Sequence, residues 1–285
     1  MTDHELDIHD HDRASAGLTY VYPVVSRRAG GVSVGINLNP NNACNFRCIY
    51  CQVPGLVSGN APTIDVPLLG RELDALLGDI VRGDFMERRV DPSNRRLNDI
   101  ALSGNGEPTT CRQFAEVVDV VGAAMEEFDL VGRTKLILIT NGTATNRSHV
   151  EDGIRRMAGL GGEVWFKLDS ATEEGAARVN QSRAGLEQRF GRLARVAELC
   201  PTFLQTCVFL LDGEPPSETE CGAYVEALQR LSRSGVSLRG VLLYGLARPS
   251  QQPEAPRLAA LSKEWLQAYA ERIRAGTGLE VRVTP

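Results

Sequence analysis

Apolar residues follow two alternating rhythms along this chain. Short stretches alternate with period two or run apolar throughout, and longer ones place apolar residues three and four apart. The stretch "GVSVGINLNP" (31–40) is the first of the short kind, with Val32, Val34, Ile36 and Leu38 on one face. Helical spacing follows over 70–83, and "LNDIALSGNGEP" (98–108) reads as a strand running into a glycine-rich turn. The alternation continues as helix 112–128, strand 134–142, helix 148–159, strand 162–170, helix 184–199 and strand 202–210. Helix 217–233, strand 236–246, helix 257–275 and a short last strand at 279–283 complete it. "TKLILITNG" (134–142) is apolar without alternation, as a strand buried on both faces should be. Strands alternating with helices predict an α/β protein with a parallel sheet, here a partial (β/α)6 barrel with a cysteine loop after its first strand. Such sheets gather ligand sites at the carboxyl ends of their strands. The polar oddities fall at those ends: the cysteine loop, "SGNGEPTT" after strand two, "TNG" after strand three, "KLDS" at strand four and "LARP" after strand six. One crevice is expected to collect them.

Composition narrows the setting. At 285 residues, with 42% hydrophobic and 24% charged, the chain suits a soluble globular protein with a sizeable core. No domain boundary stands out within 19–285; residues 56–69 and the proline-rich 249–256 read as loops, and 1–18 as a disordered acidic tail. That tail has no apolar core of a secretory signal, and no run of apolar residues is long enough for a membrane span. A cytoplasmic protein is expected. The net charge of -5 argues against a broad grip on nucleic acid, although basic pairs such as Arg27-Arg28 and Arg155-Arg156 occur among the acids. A small-molecule or protein substrate is easier to accommodate.

Seven cysteines without disulfide-scaffold spacing point to a reducing compartment, and three of them cluster. "ACNFRCIYCQVPG" places Cys44, Cys48 and Cys51 in the order C-x3-C-x2-C. Structural zinc and a plain electron-transfer cube both want four protein ligands. For zinc, Cys111 or His149 would have to be the fourth, and both lie far along the chain; Cys200, Cys207 and Cys221 have the neighbours of ordinary core or surface thiols. The remaining reading is a 4Fe–4S cluster with three thiolates and one iron left open to chelate a small molecule, as a catalytic zinc keeps one position open.

The triad, with Tyr50 as the aromatic residue before its last cysteine, resembles that of the radical S-adenosylmethionine superfamily. The resemblance implies that the open iron binds the amino and carboxylate groups of S-adenosylmethionine. It also implies that the reduced cluster cleaves the cofactor to methionine and a 5'-deoxyadenosyl radical, which abstracts hydrogen from a substrate. "GNGEP" (104–108) resembles the superfamily's Gly-Gly-Glu-Pro motif, with Asn105 as an insertion-like variation that leaves Gly104, Gly106, Glu107 and Pro108 in place. An open glycine turn lets backbone carbonyls and the Glu107 carboxylate converge on a ligand ammonium. Asn141 of "TNG" is a further cofactor candidate. In "FKLDS" (166–170), Lys167 and Asp169 share a face if the strand is regular, and charged groups inside an apolar strand need partners. Asp169 or Ser170 would hold ribose hydroxyls, and Lys167 the substrate or the cofactor carboxylate. Gln205, Thr206 and Arg248 are softer candidates, Arg248 for an anionic substrate.

A closer resemblance spans residues 23 to 283, carried by "PVVSRRAGGVSVGINLNPNNACNFRCIYCQ", "DIALSGNGEPT", "VWFKLDSA" and "LYGLARP". It is to a bacterial and archaeal branch related to the wyosine-base synthases of transfer RNA. Those carry a second cluster on extra N-terminal cysteines, whereas no cysteine precedes Cys44 here. The expectation is a single-cluster radical enzyme, served by a flavodoxin- or ferredoxin-like reductant, acting on a small molecule or a protein. A transfer RNA base modifier is the alternative among enzymes. A zinc-stabilised binding protein is the alternative of another class.

Overall fold

The computed structural model describes residues 6, 17–26, 30–182 and 184–285, and the eight strands of its main sheet lie in the order in which the chain makes them. They are β1 (Val21–Ser26), β2 (Gly31–Ile36), β3 (Leu97–Leu102), β4 (Lys135–Thr140), β5 (Glu163–Lys167), β6 (Thr202–Cys207), β7 (Gly240–Tyr244) and β8 (Val281–Thr284). Only β1 runs antiparallel to its neighbour; β2 through β8 are parallel, and the sheet curls into a half-barrel. The main helices are α1 (Val66–Arg82), α2 (Phe114–Glu127), α3 (Ser148–Gly159), α4 (Glu173–Asn180), α5 (Leu186–Leu199), α6 (Glu218–Arg233) and α7 (Lys263–Thr277). None of the described helices is long and apolar enough to cross a membrane.

The period-two pattern decides which wall is which. Val32, Val34, Ile36, Ile100, Leu102, Leu136, Leu138, Leu204, Val241 and Leu243 point outward into one core with Leu69, Leu73 and Leu76 of α1 and Val117, Val118 and Val121 of α2. Burying apolar surface at roughly 25 cal/mol per Å² makes this outer layer the main source of stability. The intervening residues, among them Ser33, Gly35, Asp99, Ala101, Trp165, Lys167 and Gln205, face inward and line a cavity. The inner wall is the polar one.

The elements agree with the expected partial barrel, with instructive differences. Strands expected to reach 170, 210 and 246 stop at Lys167, Cys207 and Tyr244, because the chain leaves the ladder there to form the loops at the mouth. The strand β1 was not expected. Its "VYPVVS" contains Pro23, which lacks a ladder donor and is tolerated because β1, among the described residues, is an edge strand paired only with β2. Helix α1 starts inside a stretch read as loop: the Asp65 side chain accepts the Leu68 N–H at 2.9 Å, and Pro67 sits in the first turn, where a missing N–H costs nothing. Helix α4 was also unexpected. The proposed tail at 1–18 and the pair Arg27-Arg28 lie almost wholly outside the described residues; of the tail, Leu6 is buried in the core and bridges Val90.

The edge strand is tied down by a single carboxylate. Glu72 of α1 is buried and accepts the backbone N–H groups of Thr19 at 2.8 Å, Tyr20 at 2.8 Å and Val21 at 3.3 Å. Glu72→Ala strands those donors, so it is expected to cost on the order of 3 kcal/mol in urea unfolding, with Glu72→Gln costing roughly half as much. Equal midpoints for wild type and Glu72→Ala would show that β1 is held some other way.

Candidate cofactor-binding site

Between β2 and α1 the chain has little regular structure of its own: only Ala43–Cys44 pairs with Val57–Ser58. The position of the cysteine loop is therefore set by its contacts. Cys44, Cys48 and Cys51, all partly exposed, line one cavity of about 310 Å³ at the carboxyl end of the sheet. The C-x2-C half closes as a turn, with the Cys51 N–H donating to the Cys48 carbonyl at 2.9 Å. The carbonyls of Asn180 and Val179 at the end of α4 accept from the N–H groups of Arg47 at 3.1 Å and Ile49 at 2.9 Å. From the loop after β7, Ser250 Oγ donates to the Ile49 carbonyl at 2.7 Å and Gln252 Nε2 to that of Val53 at 3.0 Å. Arg47 also pairs with Glu254 at 3.0 Å. Burial pushes the Cys44 thiol up to about 12 and the Cys48 thiol to about 11, so a metal bound to these two must displace their protons.

The "GNGEP" turn packs directly against this loop. A Cβ on Gly104 would lie 2.4 Å from Asn37 Oδ1, and one on Gly106 only 2.1 Å from the Ala43 carbonyl. Glycine is required there by close approach. Asn37 Oδ1 accepts the N–H groups of Asn39 and Asn105, each at 3.0 Å, which locks the turn to the strand end before it. Glu107 is buried and takes four donors from the chain. Its Oε1 accepts Thr109 N–H at 3.1 Å, Thr109 Oγ1 at 2.5 Å and Thr140 Oγ1 at 2.5 Å, and its Oε2 accepts Asn141 N–H at 2.6 Å. Burial raises its carboxyl above the usual range although these donors pull the other way. Glu107 is thus a strut between the turn after β3 and the "TNG" turn after β4, with acceptor capacity left only at Oε2.

On the opposite wall, Lys167 Nζ donates to Tyr244 Oη at 3.2 Å and lies 5.1 Å from the centre of the Tyr50 ring. Burial opposes its charge, but Tyr244, Asp169 and Cys48 outweigh that and keep the ammonium protonated. Arg248 donates to Gln52 Oε1 at 3.3 Å, beside Cys51.

The fold therefore brings Tyr50, Gly104, Gly106, Glu107, Asn141, Lys167, Gln205 and Arg248 to the same cavity as the three cysteines. Pro108, Asp169 and Ser170 do not line it. Pro108 opens a short 3-10 turn behind the glycines. The alternation assumed for Asp169 runs on past the end of β5, with Leu168 buried in the outer core and Asp169 half-buried on the side of Lys167. Asp169 instead accepts from Tyr50 Oη at 2.5 Å, Asn180 Nδ2 at 2.6 Å and the Cys207 N–H at 2.9 Å. Ser170 faces the helical layer, donating to Glu220 of α6 at 2.8 Å, and the Thr206 hydroxyl is bonded to the Leu168 carbonyl and Tyr224. Asp169 and Ser170 line a neighbouring cavity instead, with Cys207 common to both cavities.

Sequence reasoning missed Asp99, Trp165, Cys207, Tyr244 and Asn180. Asp99 carried a usable signal, an acid inside the apolar "LNDIAL", and its carboxylate takes a short hydrogen bond from Ser33 on the inner wall. Asn180 carried none, since its strand of contacts depends on a helix that the pattern did not announce.

The residues present fit a cluster with three thiolates. Cys111, Cys200 and Cys221 belong to the outer core; of the other cysteines only Cys207 reaches the cavity, buried beside Tyr244. A single zinc ion needs ligands that converge on one point, and no group of three His, Cys, Asp or Glu side chains among the described residues does so. A cube takes each thiolate at a separate corner and has no such requirement.

No protein-family model matches the chain. A UPF0026 protein of Synechocystis is 25% identical over 287 residues, covering 93% of this chain and 96% of that one. A UPF0026 protein of Methanocaldococcus jannaschii is 28% identical over 165 residues, 58% of this chain and 44% of its own length. Among solved structures, a radical S-adenosylmethionine methyltransferase from Sphaerobacter thermophilus superposes with a TM-score of 0.56 at 17% identity, over 89% of this chain and 66% of that chain. A spore photoproduct lyase gives 0.51 at 14% identity, over 85% and 74%. HydG, a maturase of the FeFe-hydrogenase, gives 0.56 at 12% identity, over 87% and 51%. In fold, this chain is a half-barrel similar to those of solved radical S-adenosylmethionine enzymes, and its sequence is similar to the UPF0026 proteins.

Proposed function

We propose that this protein is a radical S-adenosylmethionine enzyme that holds a 4Fe–4S cluster through Cys44, Cys48 and Cys51 and abstracts hydrogen from a small-molecule or protein substrate. The observation that carries the reading is the convergence of three thiols and the Gly104–Glu107 and Asn141 turns on one cavity. When bound and reduced, the cluster supplies one electron to the sulfonium of S-adenosylmethionine, giving methionine and a 5'-deoxyadenosyl radical.

The chain's own residues do the positioning. Gly104 and Gly106 let the turn after β3 lie flush with the cysteine loop, so its backbone and Glu107 Oε2 face a ligand amino group there. Lys167 and Arg248 put positive charge on the opposite wall, suited to a carboxylate of the cofactor or of an anionic substrate. Deeper in the half-barrel, Tyr22, Asp99 and Trp165 leave a mixed aromatic and polar floor for the group that loses hydrogen. A flavodoxin- or ferredoxin-like protein is the reductant this chemistry calls for.

Two outcomes test the reading. Anaerobic reconstitution should load about four irons per chain, and dithionite with S-adenosylmethionine should yield 5'-deoxyadenosine. Cys48→Ala should abolish iron binding while Cys207→Ala retains it; stoichiometric zinc without iron, or loss of the cluster on changing Cys207 alone, would overturn the three-thiolate assignment. Separately, Glu107→Ala should keep its iron, lose on the order of 3 kcal/mol of stability and bind S-adenosylmethionine roughly tenfold to hundredfold more weakly. Lower stability with unchanged affinity would leave Glu107 as a strut alone.

A further inference from the structure

Helix α4 ends on Asn180, whose side chain is 1% exposed and whose Nδ2 lies 3.2 Å from Cys48 Sγ. The same nitrogen donates to Asp169 Oδ2 at 2.6 Å. The orientation of this amide follows from chemistry: Asp169 and a metal-bound thiolate can only accept, so the NH2 group must face both. Asp169 is itself fixed by two other donors, Tyr50 Oη and the Cys207 N–H, so it cannot swing away and release Asn180. The main chain adds a second clamp, because the carbonyls of Val179 and Asn180 accept from Ile49 and Arg47 on either side of Cys48. Cys44 differs in having no side-chain donor: the main-chain N–H of Phe46 reaches its sulfur, and the nearby side-chain atom is an acceptor, Asn45 Oδ1, at 3.9 Å.

We propose that Asn180 is a positioning residue that raises the reduction potential of the cluster through an N–H···S hydrogen bond to Cys48. The inference rests on the radical S-adenosylmethionine reading above. Reduction adds one electron to the cluster, and part of that charge falls on the cysteine sulfurs. A fixed N–H dipole aimed at one sulfur in a water-poor site stabilises the more negative state, and so favours reduction. The buried guanidinium of Arg189 on α5 acts in the same direction, since it lies within electrostatic reach of Asp169 and Cys48. Asp169 serves as the orienter that keeps the amide turned toward the sulfur.

The test compares reconstituted wild type, Asn180→Leu, which keeps the volume and removes the donor, and Asn180→Ser, whose hydroxyl is too short to reach the sulfur. All three should carry equal iron. At a fixed solution potential, the ratio of reduced to oxidised cluster, read by EPR, should fall in both variants by about tenfold, which for a one-electron couple is a shift of about 59 mV to more negative potential. In wild type alone, H/D exchange should move an iron–sulfur(cysteine) stretching band in resonance Raman, a measurement that needs no variant. An unchanged ratio in fully loaded variants, or a wild-type Raman spectrum indifferent to exchange, would overturn the proposal. Variants that fold but take up no iron would also overturn it, by making Asn180 an assembly residue. Failure of wild type itself to bind iron would refute the cluster reading instead, which separates the two claims.

Discussion

An irregular loop cannot hold three thiols in fixed geometry by its own hydrogen bonds, and the rest of this structure is arranged around that constraint. The cysteine loop has one two-residue pairing, so its backbone groups are bonded to other parts of the chain. The end of α4, the "PSQQ" loop after β7 and the glycine turn after β3 each supply a share. Two carboxylates, Glu107 buried and Asp169 half-buried, brace these parts. Glu107 joins the turns after β3 and β4, and Asp169 joins Tyr50 of the loop to α4 and β6. A buried carboxylate without partners would be expensive, and each of these is satisfied by three or four donors.

The half-barrel makes this bracing possible because every strand end opens on the same mouth. Parallel strands in chain order place successive loops side by side, and the outer aliphatic layer fixes their spacing. The inner wall is then free to be polar. Lys167, Gln205 and Asp99 sit there without disturbing the core, because alternate positions on the same strands already bury Phe166, Leu204 and Ile100. Stability and chemistry are separated by the pleat of the sheet.

Much of this was legible in the sequence wherever one residue's surroundings lie within its own segment. Val32, Val34 and Ile36 show their face by alternation, and Lys167 is conspicuous as a cation in an apolar strand. The cysteine spacing and the paired glycines are local as well. What was not legible depends on partners elsewhere in the chain. Asp169 was read from its share of a strand face with Lys167, but its carboxylate is taken up by donors from three other segments, Tyr50, Asn180 and Cys207. Edge strand β1 was hidden by Pro23, which reads as a breaker unless one knows that no described strand pairs on that side. The strut role of Glu107 and the link from Asn180 to Cys48 join residues 33 to 132 positions apart, and no local pattern encodes them.

The central claim is that the mouth of this half-barrel presents three thiolates and leaves one iron open toward the cavity faced by Gly104, Glu107 and Asn141. EPR of the dithionite-reduced, reconstituted protein tests it most directly, recorded with and without S-adenosylmethionine under turnover-free conditions. The account predicts a 4Fe–4S signal whose g-values shift when the cofactor is added, with hyperfine coupling to a 15N label in its amino group. A cluster signal that is identical with and without the labelled cofactor would contradict it.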